Sequence, residues 1–357
     1  MINTQEKLNI AIVGIGEFGS NMVRNLMLEN GWIKRSISID WRPTMLSESS
    51  AKKKIRIKKN ADYFEEVYRI KETLKEELLD IDIVFLFADL YEEIICNYAP
   101  VIARAIKSFN IVTVGVVLLP HKREKKSINK KAHSILLDLR RYIAVASIRP
   151  GTVFFCDDDN YADQDIFDSI GNYMDLGYYS EVSMYNGRKL KQKSIDFSDN
   201  QNIISTYNAA TSVVEKILKM LSIDYVNSNP NSVLNIMRTP GGLHIASAHN
   251  EVIEHKYPCE WPPKRAYVLE RKLTISGLLN TSIDSTRSML LHLIVPTDIQ
   301  KEEIKYLCEQ IEGRSGAEHI EFALDVDVTL GSTIKAEIIA TDALAEYECE
   351  EYSQMYY

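Results

Sequence analysis

Apolar positions in the first 120 residues switch repeatedly between strand-like and helix-like spacing. A short apolar run at residues 9–13 leads into a glycine turn, and Val23, Leu26 and Met27 then recur at helical spacing. Two further helix-period segments lead into buried-strand runs: residues 64–79 into 81–88, and 97–108 into 110–120. Regular alternation of this kind predicts a parallel sheet with helices on both faces, which is an α/β fold.

Later elements follow less regularly. A strand is predicted at 37–39, ending at Asp40, and helices at 128–142 and 299–311. A long helix beginning at residue 203 carries a continuous apolar stripe, and the Asn- and Pro-containing stretch 226–231 follows it as a hinge. Further strands are predicted at 144–147, 152–156, 272–275, 289–295, 319–328 and 333–341. The four strands that follow the long helix predict a smaller C-terminal domain with a four-stranded sheet.

Composition limits the class of protein. The chain has 357 residues, 45% hydrophobic and 26% charged, which is enough for about two globular domains and excludes collagen-like and wholly disordered chains. The apolar run 111–120 is too short to span a membrane, and the first residues lack a signal-peptide pattern, so we expect a cytoplasmic protein. Five cysteines without a CxxC spacing predict neither a disulfide framework nor a zinc ribbon. A net charge of −8 argues against bulk nucleic-acid binding.

The glycine turn is the sharpest local motif. Gly14, Gly16 and Gly19 form a GxGxxG pattern between the first strand and the first helix, where glycines permit a tight turn and close approach to a phosphate. Asp40 ends the second strand, where a dinucleotide-binding enzyme keeps its ribose-binding acid. The turn alone is therefore compatible with a nucleotide-binding protein and with an NAD(P)-dependent Rossmann oxidoreductase.

A family resemblance favours the first reading. The order of IAIVGIGEFGSNMV, SISID, DIVFLFA, APVIARAIKS and VTVGVVLLP resembles the N-terminal domain of FtsZ, of the tubulin superfamily, and the later elements are similar to the rest of that fold. The resemblance implies a doubly wound nucleotide-binding-type domain at 1–202, a central helix and loop at 203–228, an α+β domain at 229–342 and an acidic tail at 343–357. It implies GTP or GDP as the ligand, with contacts from Gly14, Gly16, Gly19, Ser20, Asn21 and Tyr207.

The departures from the family are equally informative. Where FtsZ has the phosphate-binding loop GGGTGTG, this chain has YEEIICN at residues 91–97, so every glycine is lost and Glu92 and Glu93 would lie beside phosphate. Where the family has an acid in the loop after the second strand, this chain has Arg42. The family's catalytic loop NxDFADV becomes NSNPNSV, with Asn229 and Ser232 at the acidic positions, and neither residue can act as a general base.

These differences predict a degenerate member of the family. We expect a scaffold or regulator with GTP hydrolysis lost, assembling with itself or with a conventional FtsZ-like subunit in cell division or membrane remodelling. The alternatives are a polymerising GTPase with remodelled loops and the NAD(P)-dependent oxidoreductase.

Two basic segments predict a positive surface. Residues Lys52–Lys59 and Lys122–Lys131 each contain six cations, and the resemblance implies that both are loops at the carboxyl end of the sheet. Such a surface would meet an anionic membrane, an acidic partner or a phosphate. His244, His249, His255 and Cys259 match no standard metal-ligand spacing, so no metal site is expected.

Overall fold

The computed structural model describes residues 8–29, 33–59, 61–121, 124–148, 199–221, 230–250, 263–275, 283 and 286–342. The predicted strand at 152–156 and residue Asn229 lie outside these ranges, as do His255, Cys259 and the tail 343–357.

The first half alternates strands and helices, as predicted. Its strands are β1 (Ile10–Ile15), β2 (Ile33–Asp40), β3 (Lys53–Arg56), β4 (Ile83–Asp89), β5 (Val112–Leu118) and β6 (Ala144–Ile148). Its helices are α1 (Gly16–Glu29), α2 (Pro43–Glu48), α3 (Tyr63–Glu77), α4 (Glu93–Ser108) and α5 (Lys126–Arg140).

The second half begins with the long helix α6 (Asp199–Leu221) and the shorter α7 (Pro230–Arg238). Strand β7 (Gly241–His249), helix α8 (Lys264–Ile275) and strand β8 (Ser288–Val295) follow. The described chain ends with α9 (Lys301–Ser315), β9 (His319–Val326), a 3-10 turn (Val328–Leu330) and β10 (Lys335–Thr341).

All ten strands belong to one sheet, in the order β3-β2-β1-β4-β5-β6-β7-β10-β8-β9. Strands β1 to β6 are mutually parallel, and β7 joins β6 in parallel through only two residue pairs. Strand β10 is antiparallel to both β7 and β8, and β9 is parallel to β8. The α/β class and the doubly wound N-terminal arrangement are therefore confirmed.

Three groups of buried apolar residues fill the space between sheet and helices. One core lies under α1, α6 and α7 and includes residues of both halves, such as Phe87, Leu243 and Ile339. A second core packs α3, α4 and α5 against the parallel strands, and a third packs α8 and α9 against β7, β8 and β10. Among the described residues, no helix is long and apolar enough to cross a membrane.

Three sequence-based expectations are wrong. One concerns the second basic segment, whose residues 126–131 begin helix α5 instead of forming a loop. Residues 272–275 end helix α8 instead of forming a strand, because Ala266, Leu269 and Leu273 are buried at helical spacing just before and within them. Residues 53–56 of the first basic segment form strand β3 instead of a loop, since Ile55 and Ile57 alternate with the cations and are buried. Strand β7 and helices α2 and α7 were not predicted.

Candidate functional site

The glycine turn joins β1 to α1 in the tight geometry expected for its motif. A Cβ atom on Gly14 would lie 2.2 Å from the carbonyl oxygen of Gly19, and one on Gly19 would lie 2.7 Å from the carbonyl oxygen of Phe87. Gly16 has a φ of +76°, which side chains rarely adopt. Gly14 and Gly19 are thus required by the close packing of α1 on β1 and β4, and Gly16 by its backbone conformation, whether or not a ligand binds.

The space above Gly16 is filled by the chain itself. A Cβ atom there would lie 2.9 Å from Cγ1 of Ile95 and 3.7 Å from Oε2 of Glu92. Both residues come from the segment 91–97 that replaces the family's glycine-rich loop. Helix α4 begins within this segment at Glu93, and the buried Ile95 is directed onto the turn.

A cluster of charged side chains lies beside the glycine turn. The Arg42 guanidinium donates to Asp40 through Nη2 at 2.9 Å and to Glu92 through Nη2 at 3.1 Å, and Nη1 approaches Glu17 at 3.4 Å. The hydrogen bond that Arg42 donates to Asp40 is the main reason that the pKa of Arg42 is raised. Trp41 adds a donor, since its indole Nε1 lies 2.5 Å from Glu92 Oε1. Glu92 is therefore held by Trp41 and Arg42 over the glycine turn.

Three more charged residues lie around this ion cluster. Burial raises the pKa of Asp89, at the end of β4, to about 6, and the nearby carboxylates of Glu92 and Glu17 add to the shift. Lys59 places its ammonium 3.2 Å from the centroid of the Trp41 ring. Glu93 turns away toward Lys131 at 2.9 Å. Of the two glutamates predicted beside the phosphate position, Glu92 alone contacts the turn.

Tyr207, on helix α6, lies beside helix α1. Its ring stacks on Phe18 with centroids 5.5 Å apart, and Asn21 Nδ2 donates to its hydroxyl at 3.0 Å. Ser20 is buried in the same helix, and in the described part of the chain its Oγ has no hydrogen-bond partner. The structure therefore brings Tyr207, Asn21 and the glycine turn together, with one face of the tyrosine ring occupied by Phe18.

The space above Gly16, which we call the cradle, does not fit a nucleotide phosphate. A phosphate must approach the turn closely, and that approach is taken by the Ile95 side chain and the Glu92 carboxylate. Three carboxylates, from Glu17, Asp40 and Glu92, already share the Arg42 guanidinium, and their negative charge would oppose that of a phosphate.

Among the described residues, the other predicted positions add no catalytic group to this site. Ser232 is the third residue of α7, and its partner position Asn229 lies outside the described residues. Asp40 is fully buried, and both its oxygens accept hydrogen bonds from Arg42, so neither is directed toward a ribose. Within the described ranges, no group of three or more His, Cys, Asp and Glu side chains could hold a metal ion.

Sequence reasoning did not find the contact of Ile95 with Gly16 or the pairing of Arg42 with Glu92. The signal for the ion pair was present, because a cation had replaced an acid in one loop while an acid had replaced glycine in the other. Arg42 follows β2 and Glu92 follows β4, the two neighbours of β1, so both loops lie at the same end of the sheet, where two opposite changes of charge favour a new ion pair.

Comparisons with known proteins agree with this architecture. No family model matches the chain. The chain is 25% identical over 358 residues to the cell division protein FtsZ 1 of Methanocaldococcus jannaschii, covering 96% of this chain and 85% of that protein. It is similar to an empty FtsZ dimer structure from M. jannaschii, with a TM-score of 0.60, 20% identity and 95% and 89% of the two chains covered. It is also similar to CetZ2 of Haloferax volcanii in a GTPγS-bound protofilament, with a TM-score of 0.65, 12% identity and 98% and 97% covered.

Proposed function

The chain is a divergent protein of the FtsZ/tubulin superfamily, and from this premise we propose that it is a non-hydrolysing member of that superfamily. In this proposal it assembles with itself or with a conventional FtsZ-like subunit. Its role is that of a scaffold or regulator in cell division or membrane remodelling.

The filled cradle carries the proposal. Ile95 and Glu92 occupy the approach to Gly16, and moving Glu92 aside would break its contacts with both Trp41 and Arg42. Ile95 is fully buried, so displacing its side chain would also open a cavity in the second core. In this proposal the packed Ile95 and the hydrogen-bonded Glu92 take the place of the ligand.

The loss of hydrolysis follows from a second observation. Attack by water on a phosphoryl group requires a residue that positions and polarises that water. Asn229 and Ser232 stand where the family has acids, and an amide and a hydroxyl cannot accept the proton at neutral pH.

Self-assembly is supported by the relatives. The two solved structures described above are a dimer and a protofilament, and this chain covers about nine-tenths or more of each. The name of the curated relative described above, a cell division protein, is the basis for the cellular role proposed here.

One alternative retains a specific observation. The glycine turn keeps its tight geometry, and Tyr207 and Asn21 still lie beside it. A polymerising GTPase with remodelled loops would use those groups after movement of the segment 91–97. For the oxidoreductase, the two Asp40 oxygens would have to be released from Arg42.

The test begins with protein purified without added nucleotide. Acid extraction and chromatography should release well under one molar equivalent of guanine nucleotide, and titration calorimetry with GTP and GDP should give no binding heat. Sedimentation of the same protein should show assembly to the same extent with GTP, with GDP and without either.

Each other result has a clear meaning. Stoichiometric guanine nucleotide, or GTP turnover that rises with protein concentration, would overturn the proposal in favour of the GTPase. Binding of NADH without binding of GTP would favour the oxidoreductase. A protein that stays monomeric at every concentration, alone and with a conventional FtsZ, would overturn the scaffold.

A further inference from the structure

The sheet has two open edges among the described strands. Strand β3 ends the order on one side and β9 ends it on the other, so each pairs with a single neighbour. Following the pairings from β3 through to β9 shows that these two strands run in the same direction. An open edge exposes backbone N–H and C=O groups that can pair with another strand.

The β3 edge is strongly basic. Lys52, Lys54, Arg56, Lys58 and Lys59 are all exposed. The Lys54 ammonium donates to the carbonyl oxygen of Ser47 at 3.1 Å, which leaves its charge without a carboxylate in that contact. On the opposite face of the strand, Ile55 is buried under α3, and Lys53 is paired with Glu77.

The β9 edge is acidic on one face and apolar on the other. On one face Glu321 is exposed, and Asp325 is partly exposed and lies 2.8 Å from Nε2 of the buried His292 through its Oδ2. On the other face, Phe322, Leu324 and Val326 are 48%, 43% and 61% exposed, although they pair with fully or almost fully buried residues of β8. Large apolar side chains in line on an edge strand mark an interaction surface or an aggregation hazard.

The basic face of β3 and the acidic face of β9 lie on the same side of the sheet. Register pairs on neighbouring strands point to the same side of a sheet. Carried across all ten strands, the registers place Lys54 and Arg56 on the same side as Glu321 and Asp325. They place Ile55 on the same side as Phe322, Leu324 and Val326, which is the side covered by α3 and α9.

We propose that the β3 edge of one copy of this chain pairs in parallel with the β9 edge of a second copy, extending the sheet laterally between subunits. Lys54 and Arg56 then face Glu321 and Asp325 across the junction, while the apolar stripe of β9 continues toward Ile55 and helix α3. This deepens the self-assembly part of the proposed function and rests on it. Because the two surfaces differ, the contact is heterologous and repeats from copy to copy.

The proposed edge contact lies on a different part of the subunit from the glycine turn. An edge contact extends the sheet sideways, whereas the Gly16 site lies at the carboxyl ends of the strands. Lateral pairing therefore leaves the glycine-turn face available for a separate, end-to-end contact.

The test uses opposite charge reversals on the two edges of the full chain. Lys54→Glu with Arg56→Glu makes both edges acidic, and Glu321→Lys makes the β9 edge less acidic. Each variant alone should need about tenfold more protein for lateral assembly, measured by light scattering and by filament width in electron micrographs. An equimolar mixture should recover parental assembly, since each variant supplies the edge that the other requires.

A matched control separates edge pairing from general charge effects. Arg104→Glu with Arg141→Glu makes the same change in net charge on exposed positions of α4 and at the end of α5, helices that pack against β4, β5 and β6 in the middle of the sheet. This variant should assemble like the parent. Circular dichroism melts check that all variants remain folded.

A second measurement needs no variant. Backbone amides of residues 52–59 and 319–326 should exchange hydrogen more slowly in the assembled parent protein than in the monomer. Unchanged exchange in both segments would overturn edge pairing.

The remaining outcomes are also decisive. Stronger lateral assembly of the Lys54→Glu, Arg56→Glu variant would mean that the basic edge prevents pairing, which overturns the inference. Lysine-dependent sedimentation with vesicles of anionic lipid, without lysine-dependent self-assembly, would assign this edge to a membrane and also overturn it. Single filaments unaffected by any edge variant would reject edge pairing but leave the proposed function standing, whereas a strictly monomeric parent would reject both.

Discussion

At the glycine turn, two changes of residue type act together. Glu92 alone would bring an unpaired carboxylate onto Gly16, and Arg42 alone would be a cation among Asp40 and Glu17. Together they form a 3.1 Å ion pair that is mostly shielded from solvent. A partly buried pair of this kind is costly to break because either partner would be left without compensation.

Asp89 gives this region a pH dependence. Its folded-state pKa is about 6, against an ordinary value of 3.8, so between these values the folded chain binds a proton that the unfolded chain releases. The free energy of unfolding therefore falls as pH rises through this window. We expect Asp89→Asn to raise the free energy of unfolding by on the order of 1–2 kcal/mol at pH 7, and to match the parent near pH 4.

Urea unfolding at several pH values measures this difference. Asparagine keeps the acceptor for the Tyr91 N–H, which lies 2.8 Å from Asp89 Oδ1. The control is Asp80→Asn, in an exposed turn at a φ of 62° that asparagine adopts readily. An advantage of Asp89→Asn that stayed the same at every pH would contradict the argument.

At the scale of elements, helices α8 and α9 are joined by a buried ion cluster. Arg265 is fully buried and donates to Glu303 through Nε at 2.6 Å and through Nη2 at 2.7 Å. Its Nη1 also reaches Asp298 at 3.1 Å. We expect Arg265→Leu to lower the free energy of unfolding by about 3–5 kcal/mol, because the buried Glu303 carboxylate would lose its partner.

Chemical denaturation of the full chain measures this cost. Arg271→Leu, on the same helix, removes a cation whose side chain is 60% exposed, and we expect a change within about 0.5 kcal/mol. Equal effects of the two substitutions would mean that the loss comes from the leucine in α8 and not from the buried pair.

The elements differ in how far the sequence predicted them. Strands β1, β4 and β5 are buried on both faces, so their apolar runs were readable without tertiary information. Residues 272–275 were misassigned because four residues, KLTI, alternate like a strand, whereas the helical period needed the preceding Ala266 and Leu269. At the site, the motif predicted the glycine turn, but the contact of Ile95 with Gly16 depends on where α4 begins, which local spacing does not encode.

In the whole molecule, the two halves of the sheet meet at a narrow junction. Strands β6 and β7 pair only through Ala144 with Gly241 and Val145 with Gly242. Gly241 has a φ of +135°, and a Cβ atom there would lie 2.5 Å from the Cα of Asp342. Any side chain at this position would therefore strain the backbone and push β7 away from the end of β10.

The first core nevertheless crosses this junction, since it includes Phe87 and Val116 from one half and Leu243 and Ile339 from the other. A shared core couples the halves, so we expect Gly241→Ala to lower the melting temperature of the whole chain by about 5 °C in a single calorimetric transition. Gly313→Ala, at a helical glycine with no atom within 4 Å of the added Cβ, is the control and should be neutral or slightly stabilising. An early transition confined to the second half would show instead that the four-stranded part unfolds alone. In that case the β6–β7 junction, and not the shared core, would determine whether the two halves unfold cooperatively.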